Sequence, residues 1–317
     1  MTARIFVLRN GALVALIALV LFNFAVTPNF ATMQTLSVNL TQVCTIVMVG
    51  IGMTLVIATG GIDLSVGALM AIAGALSPMI FMGTLVPIAP LWLAIALGII
   101  LPVLAAGAFG MFNGWLITRF SIQPIVATLV LFIAGRGLAQ VSTNGALQVF
   151  KVPEFQVIAL GRVFGVPFQV WIMLAMVAVA AFILRRTVFG KQVLAVGGNE
   201  GAARLAGVPV TRIKLIVYGI SGLCSGVAGL IVIAMNSAAD ANLIGLGMEL
   251  DAIAAVAVGG TLLTGGRATI IGTLLGALII QLVRYTLLAN GVPDPVALIA
   301  KAALIILAVW LQQREKT

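Results

Sequence analysis

The residues with the clearest chemical potential are Asp63 and its neighbours, in the stretch ATGGIDLSVG at residues 58–67. Asp63 is the one charged residue between Arg9 and Arg119, and long apolar segments flank it on both sides. Small and hydroxyl residues surround it: Gly60, Gly61, Ser65 and Gly67. A lone carboxylate and a glycine-broken helix are both costly in hydrocarbon unless they line a cavity or a protein interface. Taken alone, the stretch suggests a site for a charged ligand.

The composition shows which elements must position such a site. Hydrophobic residues make up 62% of the 317-residue chain and charged residues 8%, with a mean hydropathy of +1.25. A soluble domain carries about 25% charged residues. The apolar runs are continuous instead of alternating over ~10 residues, which excludes a transmembrane β-barrel. We therefore predict an all-α, multi-pass membrane protein with one transmembrane domain over residues 1–317.

Ten apolar segments are predicted to form helices. Their approximate bounds are 11–26, 38–59, 64–83, 90–117, 124–142, 168–184, 213–235, 250–263, 268–289 and 296–311. The first segment could be a secretory signal peptide, but no convincing A-x-A cleavage site follows it, and we interpret it as a transmembrane helix. Crossing a bilayer takes about 20 residues, so the segment 250–263 is predicted to be a half-helix or part of a broken one.

The distribution of Lys and Arg predicts the orientation. With the N-terminus inside, twelve of the 17 basic residues lie in cytoplasmic segments: Arg4, Arg9, Arg119, Arg185, Arg186, Lys191, Arg204, Arg212, Lys214, Arg267, Arg314 and Lys316. External segments hold Lys151 and Arg162, and three more fall within spans, namely Arg136, Arg284 and Lys301. Because basic residues collect on the cytoplasmic side, both termini are predicted to be cytoplasmic.

Several function classes are excluded by what the sequence lacks. It contains no histidine, so His metal sites, His proton relays and Ser-His triads are ruled out. Cys44 and Cys224 lie apart in apolar segments and are predicted to be buried packing residues. The net charge of +9 comes without a basic, aromatic-rich patch, so no nucleic-acid partner is expected. There is no P-loop motif, so any ATP hydrolysis belongs to another subunit. We predict neither an enzyme, a metal site nor a cofactor.

The long cytoplasmic connection at 185–212 contains the motif GGNEGAARLAGV. After the two glycines, a helix can begin with Asn199 as N-cap and Glu200 in its first turn, where a carboxylate suits the helix dipole. Gly207 can end it at the C′ position. The motif predicts a short helix lying across the cytoplasmic face and docking in a groove of a partner; an ordinary amphipathic loop helix is the alternative.

A weak internal echo links GGIDLSVG at 60–67 with GGTLLTGG at 259–266. The matched pairs are Gly60/Gly259, Gly61/Gly260, Leu64/Leu263, Ser65/Thr264 and Gly67/Gly266. Paired glycine-interrupted segments in two halves of a chain are a known sign of a transporter substrate region. We interpret the echo as an internal duplication, with chance recurrence among 35 glycines as the alternative.

Three long motifs in the same order carry a family resemblance: GMTLVIATGGIDLSVGALMAIAGAL, FGKQVLAVGGNEGAARLAGV and ELDAIAAVAVGGTLLTGG. Over residues 35–310 the chain resembles the permease subunit of bacterial ABC importers for monosaccharides, the ribose/xylose/arabinose/galactose type. The stretches IQPIVATLVLFIAGRGLAQ at 122–140 and SGLCSGVAGLIVIAMNSAADANLIGLGMELDAI at 221–253 are most similar to the galactofuranose-type member.

The resemblance implies a location in the bacterial inner membrane and three protein partners. Two permease chains, identical or related, would form the path; a cytoplasmic ABC ATPase would drive them and a periplasmic sugar-binding protein would deliver the sugar. The 190–208 segment, within the coupling loop 185–212, would hold the coupling helix that docks on the ATPase. The residues expected to couple are Gly198, Asn199, Glu200, Ala203, Arg204 and Gly207.

Polar residues within or beside the spans are candidates for the translocation path, because a sugar needs hydrogen-bonding groups. They are Asn113, Gln123, Thr128, Arg136, Gln140, Asn236, Asp240, Asn242, Glu249 and Asp251. Helix–helix packing is the alternative role for each. An arginine within a span must face a partner or water, and Asp63 or Asp251 are possible partners for Arg136. On the external side, Asp240, Glu249 and Asp251, or Lys151, Glu154 and Arg162, could receive the binding protein.

The predicted topology and the resemblance change the interpretation of Asp63. It lies toward the cytoplasmic end of two spans and is now expected to be structural, capping a helix that begins near Leu64. The favoured function is the permease subunit of an ATP-driven monosaccharide importer. Alternatives are the same architecture carrying a nucleoside, autoinducer or branched-chain amino acid, an ion-coupled secondary transporter, and an intramembrane enzyme, for which no nucleophile and base pair is visible.

Overall fold

A computed structural model describes residues 11–293, 295–300, 302, 303 and 306. The long helices within this part are α1 Gly11–Val26, α2 Met33–Ala58, α3 Val66–Phe81, α4 Leu91–Phe120, α5 Pro124–Ser142, α7 Phe168–Arg186, α10 Val210–Asn236 and α12 Ile270–Ala289. The shorter helices are α6 Pro153–Leu160, α8 Val188–Gly198, α9 Glu200–Leu205 and α11 Met248–Val258. Four two-residue strands form two small antiparallel pairs: β1 Gln148–Val149 with β4 Ala238–Ala239, and β2 Arg162–Val163 with β3 Val166–Pro167.

Six of these helices are long and apolar enough to cross a membrane: α2, α4, α5, α7, α10 and α12. The helices α1 and α3 are apolar but shorter. The all-α, multi-pass class is thereby confirmed, and α11, with 11 residues, is the half-length helix expected near 250–263. Half of the predicted span at 296–311 lies outside the described residues. Ten spans and cytoplasmic termini stay predictions.

The centre of the bundle is formed by α2 and α10. From Val43 to Ala58 every residue of α2 is buried, and 72% of the most apolar window of α10 is buried, against 28% to 33% for α4, α5 and α7. A helix that is apolar all round belongs inside a bundle, whereas apolar side chains left on outer helices face lipid tails. Cys44 and Cys224 are free and buried in this core, which confirms their packing role.

Small residues allow α4 and α10 to approach closely. A Cβ added at Gly222 would overlap the carbonyl oxygen of Ala106, and one added at Gly110 would overlap that of Tyr218. Membrane helices associate through such small-residue contacts because lipid offers no hydrophobic drive to bring them together. The α4–α10 pair is the most extensive helix contact among the described residues, so the glycines set the spacing of the bundle.

The predicted external connection at 143–167 is folded onto the bundle. Phe155 in α6 is fully buried, with its ring centroid 4.9 Å from that of Phe81 in α3 and 5.7 Å from that of Phe150. The β1–β4 pair then ties this connection to the chain that follows α10. The sequence predicted a loop here, because an eight-residue helix is too short to show a convincing period.

We predict that Gly222→Ala destabilises the bundle while Gly137→Ala does not. The added methyl at 222 meets the α4 backbone, and overpacking of this kind costs about 1–3 kcal/mol. Position 137 in α5 has no atom within 4 Å of a new Cβ, and Ala there favours the helix by about 0.5–1 kcal/mol. Thermal unfolding of the detergent-solubilised variants measures the difference. Equal melting temperatures for the two variants would contradict the packing assignment.

Candidate functional site

Asp63 lies at the centre of a fully buried polar cluster. Its Oδ1 accepts hydrogen bonds from the Ser65 backbone N–H at 3.0 Å and the Ser65 hydroxyl at 2.6 Å. The Ser221 hydroxyl of α10 donates to Oδ2 at 2.7 Å, and the Asn113 amide of α4 donates to the Ser65 hydroxyl oxygen at 2.9 Å. These four residues, here called the Asp63 cluster, are each 0% exposed. The cluster joins the α2–α3 connection to α4 and α10.

The residue before Asp63 anchors the same connection to α5 and α10. The carbonyl oxygen of Ile62 accepts hydrogen bonds from the Thr128 and Tyr218 hydroxyls, each at 3.4 Å. A Cβ at Gly61 would sit 2.5 Å from the Tyr218 hydroxyl oxygen, so glycine is needed for that approach. The connection is therefore held from several sides, and no face of the Asp63 carboxylate is open to solvent.

The expectation that Asp63 caps a helix near Leu64 is wrong in detail. The helix α3 begins at Val66, and its N-cap is Ser65, whose side chain makes no capping hydrogen bond. Asp63 instead bonds the backbone N–H two residues on, the pattern of an Asx turn. Leu64 and Ser65 form a turn between Asp63 and the start of α3. The Asp63 carboxylate therefore stabilises this turn and not the first turn of the helix. The complete burial of Asp63 fits a structural role and does not fit an open ligand site.

The path candidates do not meet in one cavity. Asn113 and Thr128 belong with the Asp63 connection, whereas Gln123 lines a small pocket of about 260 Å³ beside Glu200 and Lys214. A separate group lies near the chain that follows α10: Gln140 donates to Asn242 at 2.8 Å, and the Asn242 backbone and amide each donate to Asp240 at 2.8 Å. Asn236 is exposed at the end of α10. A sugar path through these residues stays a prediction.

Arg136 has different partners from those expected. Its Nη1 donates to the carbonyl oxygens of Ala241 at 3.0 Å and Ile244 at 2.5 Å. The carboxylate whose charge acts on it is Glu249 in α11, and neither Asp63 nor Asp251 fills that role. The irregular 240–247 stretch leaves these backbone carbonyls free to accept, and the sequence does not indicate them as partners. Arg136 therefore pins the chain entering α11 against α5.

The short helix α9 has the caps that the sequence predicts. Asn199 accepts from the Ala202 N–H at 2.9 Å, and Gly207, with φ +81°, lies at C′. The Val208 N–H then bonds the Ala203 carbonyl at 3.0 Å, which completes a Schellman motif.

Glu200 ties α9 to α10. Its carboxylate accepts from the Lys214 ammonium at 2.6 Å and from Arg204 at 3.1 Å. The Lys214 hydrogen bond, aided by the charges of Lys214 and Arg204, holds the pKa of Glu200 below its ordinary value. Sequence reasoning missed Lys214 as a partner because it lies 14 residues away on another helix. The pair therefore links α9 to α10 across the surface of the bundle.

The two sides of α9 differ in exposure. Ala203 is buried, with 6% of its surface exposed, while the neighbouring Leu205 is 93% exposed. Ala203 was expected to contact a partner, and its burial assigns it to packing within the chain instead. The Leu205 side chain is therefore almost free of contacts within the described part of the chain and available to a partner.

Three glycine-containing segments meet beside α9. Gly197, the last residue but one of α8, packs so closely that a Cβ would overlap the Ala58 carbonyl oxygen and lie 2.6 Å from the Gly266 nitrogen. The Gly266 N–H donates to that same Ala58 oxygen at 3.1 Å. A Cβ at Gly265 would lie 2.8 Å from the Gly60 nitrogen. We call this contact of residues 58–60, 197–198 and 265–266 the glycine junction; the sequence marked its glycines but not their convergence.

The internal echo is present in the structure with a different register. Both α2 and α11 end in Schellman motifs, in which Gly60 (φ +79°) and Gly260 (φ +81°) take the left-handed position. The sequence pairing of Gly60 with Gly259 is thus off by one residue, because the turn requires glycine at C′ and accepts Thr59 or Gly259 before it. Duplication itself stays a prediction.

We predict that Asp63→Asn folds nearly as well as the unchanged chain and that Asp63→Ala does not. Asparagine keeps an oxygen for Ser65, and the Ser221 hydroxyl can turn to accept from the new amide. Alanine leaves buried donors unsatisfied, each costing about 1–3 kcal/mol. Membrane yield and melting temperature in detergent measure both effects. A well-folded Asp63→Ala protein would contradict the structural role, as would an Asp63→Asn protein that fails to fold.

The chain is similar to known proteins over almost its whole length. The family model described as the branched-chain amino acid transport system / permease component matches residues 35–309. The ribose import permease protein RbsC of Escherichia coli K12 is 38% identical over 320 residues, covering 99% of this chain and 96% of that protein. The galactofuranose transporter permease protein YtfT of the same strain is 40% identical, covering 87% of this chain and 78% of that protein.

A third relative is the L-arabinose ABC transporter permease protein AraH of Azospirillum brasilense, which is 36% identical and covers 96% of this chain and 87% of that protein. No solved structure matches the chain. With a family model covering most of its length and permease relatives aligned almost end to end, the chain belongs to the permease-component family of the branched-chain amino acid transport system type.

Proposed function

We propose that this chain is the permease subunit of an ATP-binding cassette importer that moves a monosaccharide across the bacterial inner membrane. The observation that carries the proposal is the near end-to-end similarity to permeases named for ribose, galactofuranose and L-arabinose. The family description names branched-chain amino acids, so that cargo is the second candidate. Among the described residues, six helices that are long and apolar enough to cross a membrane support a transport role.

In this proposal α9 is the coupling helix that docks on a cytoplasmic ATPase. Leu205 is the apolar anchor, because a leucine that is 93% exposed gains most by entering a partner's pocket. Gly198, Asn199, Arg204 and Gly207 are exposed around it and form the rim. Glu200 and Ala203 hold α9 on the bundle through Lys214 and through packing, so their part in docking is indirect.

The proposed topology has ten spans with both termini in the cytoplasm. It places α9 and the glycine junction inside and the folded 143–167 segment outside, which fits the basic residues clustered around α9. A second permease chain, identical or related, completes the path. A periplasmic sugar-binding protein meets the outer surface, where Lys151, Glu154 and Asp240 supply charges of both signs for steering.

The buried polar clusters argue against an ion-coupled secondary transporter. Asp63 is the deep acid that such a transporter would use, and its carboxylate is enclosed by hydroxyl and N–H donors. A coupling acid needs access to ions on each side in turn, which this burial does not provide. Blocking ATP hydrolysis separates the two mechanisms, since uptake stops for an ATP-driven importer and persists for an ion-coupled one.

We predict that Leu205→Asp abolishes co-purification with the ATPase encoded beside this chain while leaving its membrane level unchanged. A charge at the centre of a docking surface removes the apolar anchor, and hot-spot losses are about 2–4 kcal/mol, or roughly 30-fold to 1000-fold in affinity. Pull-down from solubilised membranes, followed by a binding titration, measures the loss.

Phe164→Asp is the matched control, because Phe164 is also 93% exposed but lies in the outer hairpin. Its turn conformation, φ +52°, is one that Asp tolerates. The ATPase should remain bound to this variant. Retention of the ATPase by Leu205→Asp, or its equal loss from both variants, would contradict the docking assignment. Ribose, arabinose and galactose binding to the neighbouring periplasmic protein, measured by calorimetry, decides the cargo.

A further inference from the structure

We propose that the glycine junction is the element through which movement of α9 reaches the membrane helices, with Gly197, Gly265 and Gly266 as positioning residues. This inference rests on the proposed function and adds a defined route to it. The geometry that carries it is a backbone-to-backbone contact of three chain segments. One segment ends α2, one ends α8 next to α9, and one precedes α12.

The three segments of the junction are in direct backbone contact. Gly197 faces the Ala58 carbonyl with no space for a methyl group, and a Cβ at Gly266 would lie 2.9 Å from the Gly198 Cα. The Gly265 Cβ position is also 2.9 Å from the Gly197 carbonyl oxygen. Side chains can adjust by changing rotamers, whereas backbone in direct contact transmits a displacement. A shift of the 197–198 segment must therefore shift the ends of α2 and α12.

Beside the packing of Ala203, a second attachment of α9 is of a different kind. The Glu200–Lys214 ion pair joins α9 to α10 through a long flexible side chain, and Glu200 is 43% exposed. A partly exposed ion pair contributes about 0–1 kcal/mol and lets the two helices move relative to each other. Of the two attachments, the glycine junction is the stiff one.

Beyond the junction, the Asp63 cluster continues the route. The end of α2 at Ala58 is five residues before Asp63, which is hydrogen-bonded to Ser221 in α10 and, through Ser65, to Asn113 in α4. A displacement entering at Ala58 thus acts on the two helices that form the largest contact of the bundle. Coupling along this route is tested with variants that alter one backbone contact.

Gly265→Ala and Gly260→Ala form such a pair. Both glycines have left-handed backbones in the same loop, with φ +87° and +81°, so the conformational strain of alanine is matched. The new methyl at 265 would meet Gly60, whereas position 260 has no atom within 4 Å. Gly197→Ala adds an independent test, because Gly197 is absent from the positive-φ positions and its alanine variant probes contact alone.

The complete importer, with ATPase and binding protein, is purified and reconstituted in proteoliposomes. Ribose, arabinose and galactose are tried in turn on the wild type, and the sugar that is taken up is used for the variants. Uptake and ATP hydrolysis, with and without sugar-loaded binding protein, are the two readouts. We expect Gly265→Ala and Gly197→Ala to retain the ATPase and hydrolyse ATP while uptake per ATP falls about tenfold. Gly260→Ala should stay within about twofold of the wild type.

Equal uptake per ATP in Gly265→Ala and Gly260→Ala would overturn the inference, as would loss of folded protein from both junction variants, which would make the contact purely structural. A wild-type complex that binds no ATPase or takes up none of the sugars would instead remove the proposed function. The two failures are therefore distinguishable in the same experiment.

Discussion

The constraint on which the structure depends is that backbone polar groups leaving a helix inside a membrane bundle must be satisfied by the protein itself. The chain breaks its helices after Ala58 and after Val258, and both breaks use a glycine C′ to close the last turn. The first break is then sealed by Asp63. At the second break, the Thr269 N–H donates to the Thr261 hydroxyl and the Gly266 N–H donates to the Ala58 carbonyl. Each break therefore supplies hydrogen-bond partners to the other.

This mutual satisfaction explains why glycines concentrate where the two breaks meet. Hydrogen bonds between the breaks require direct backbone contact, and contact requires glycine where a Cβ would intrude. The same requirement brings Gly197 to the Ala58 carbonyl and so places α9 beside the breaks. A feature that resembles a ligand site in the sequence thereby becomes a mechanical connection, with the exposed Leu205 at its outer end.

The sequence predicted helices better than it predicted contacts. Long apolar segments indicate helices by composition alone, and the caps of α9 are local, so Asn199 and Gly207 could be identified from neighbours in the chain. The partners of Arg136 and Asp63 could not, because Ala241 and Ile244 lie in the distant, irregular 240–247 stretch and Ser221 lies in α10. The one-residue error in the glycine echo has the same origin. The left-handed glycine is set by the position at which each helix ends, which the match between the two sequence segments does not show.

The central claim is that α9 and the inner end of α12 move as one body. Spin-label distances test it most directly, with labels at Ala202→Cys and Ile271→Cys, both at exposed positions, while the native cysteines are buried. A second pair, Ala202→Cys with Val141→Cys, reports on the outer end of α5. In the reconstituted complex, diluted with unlabelled chains, we expect the 202–271 distance to stay the same between nucleotide-free and ATP-bound states while the 202–141 distance changes. A nucleotide-dependent change in the 202–271 distance would contradict the account.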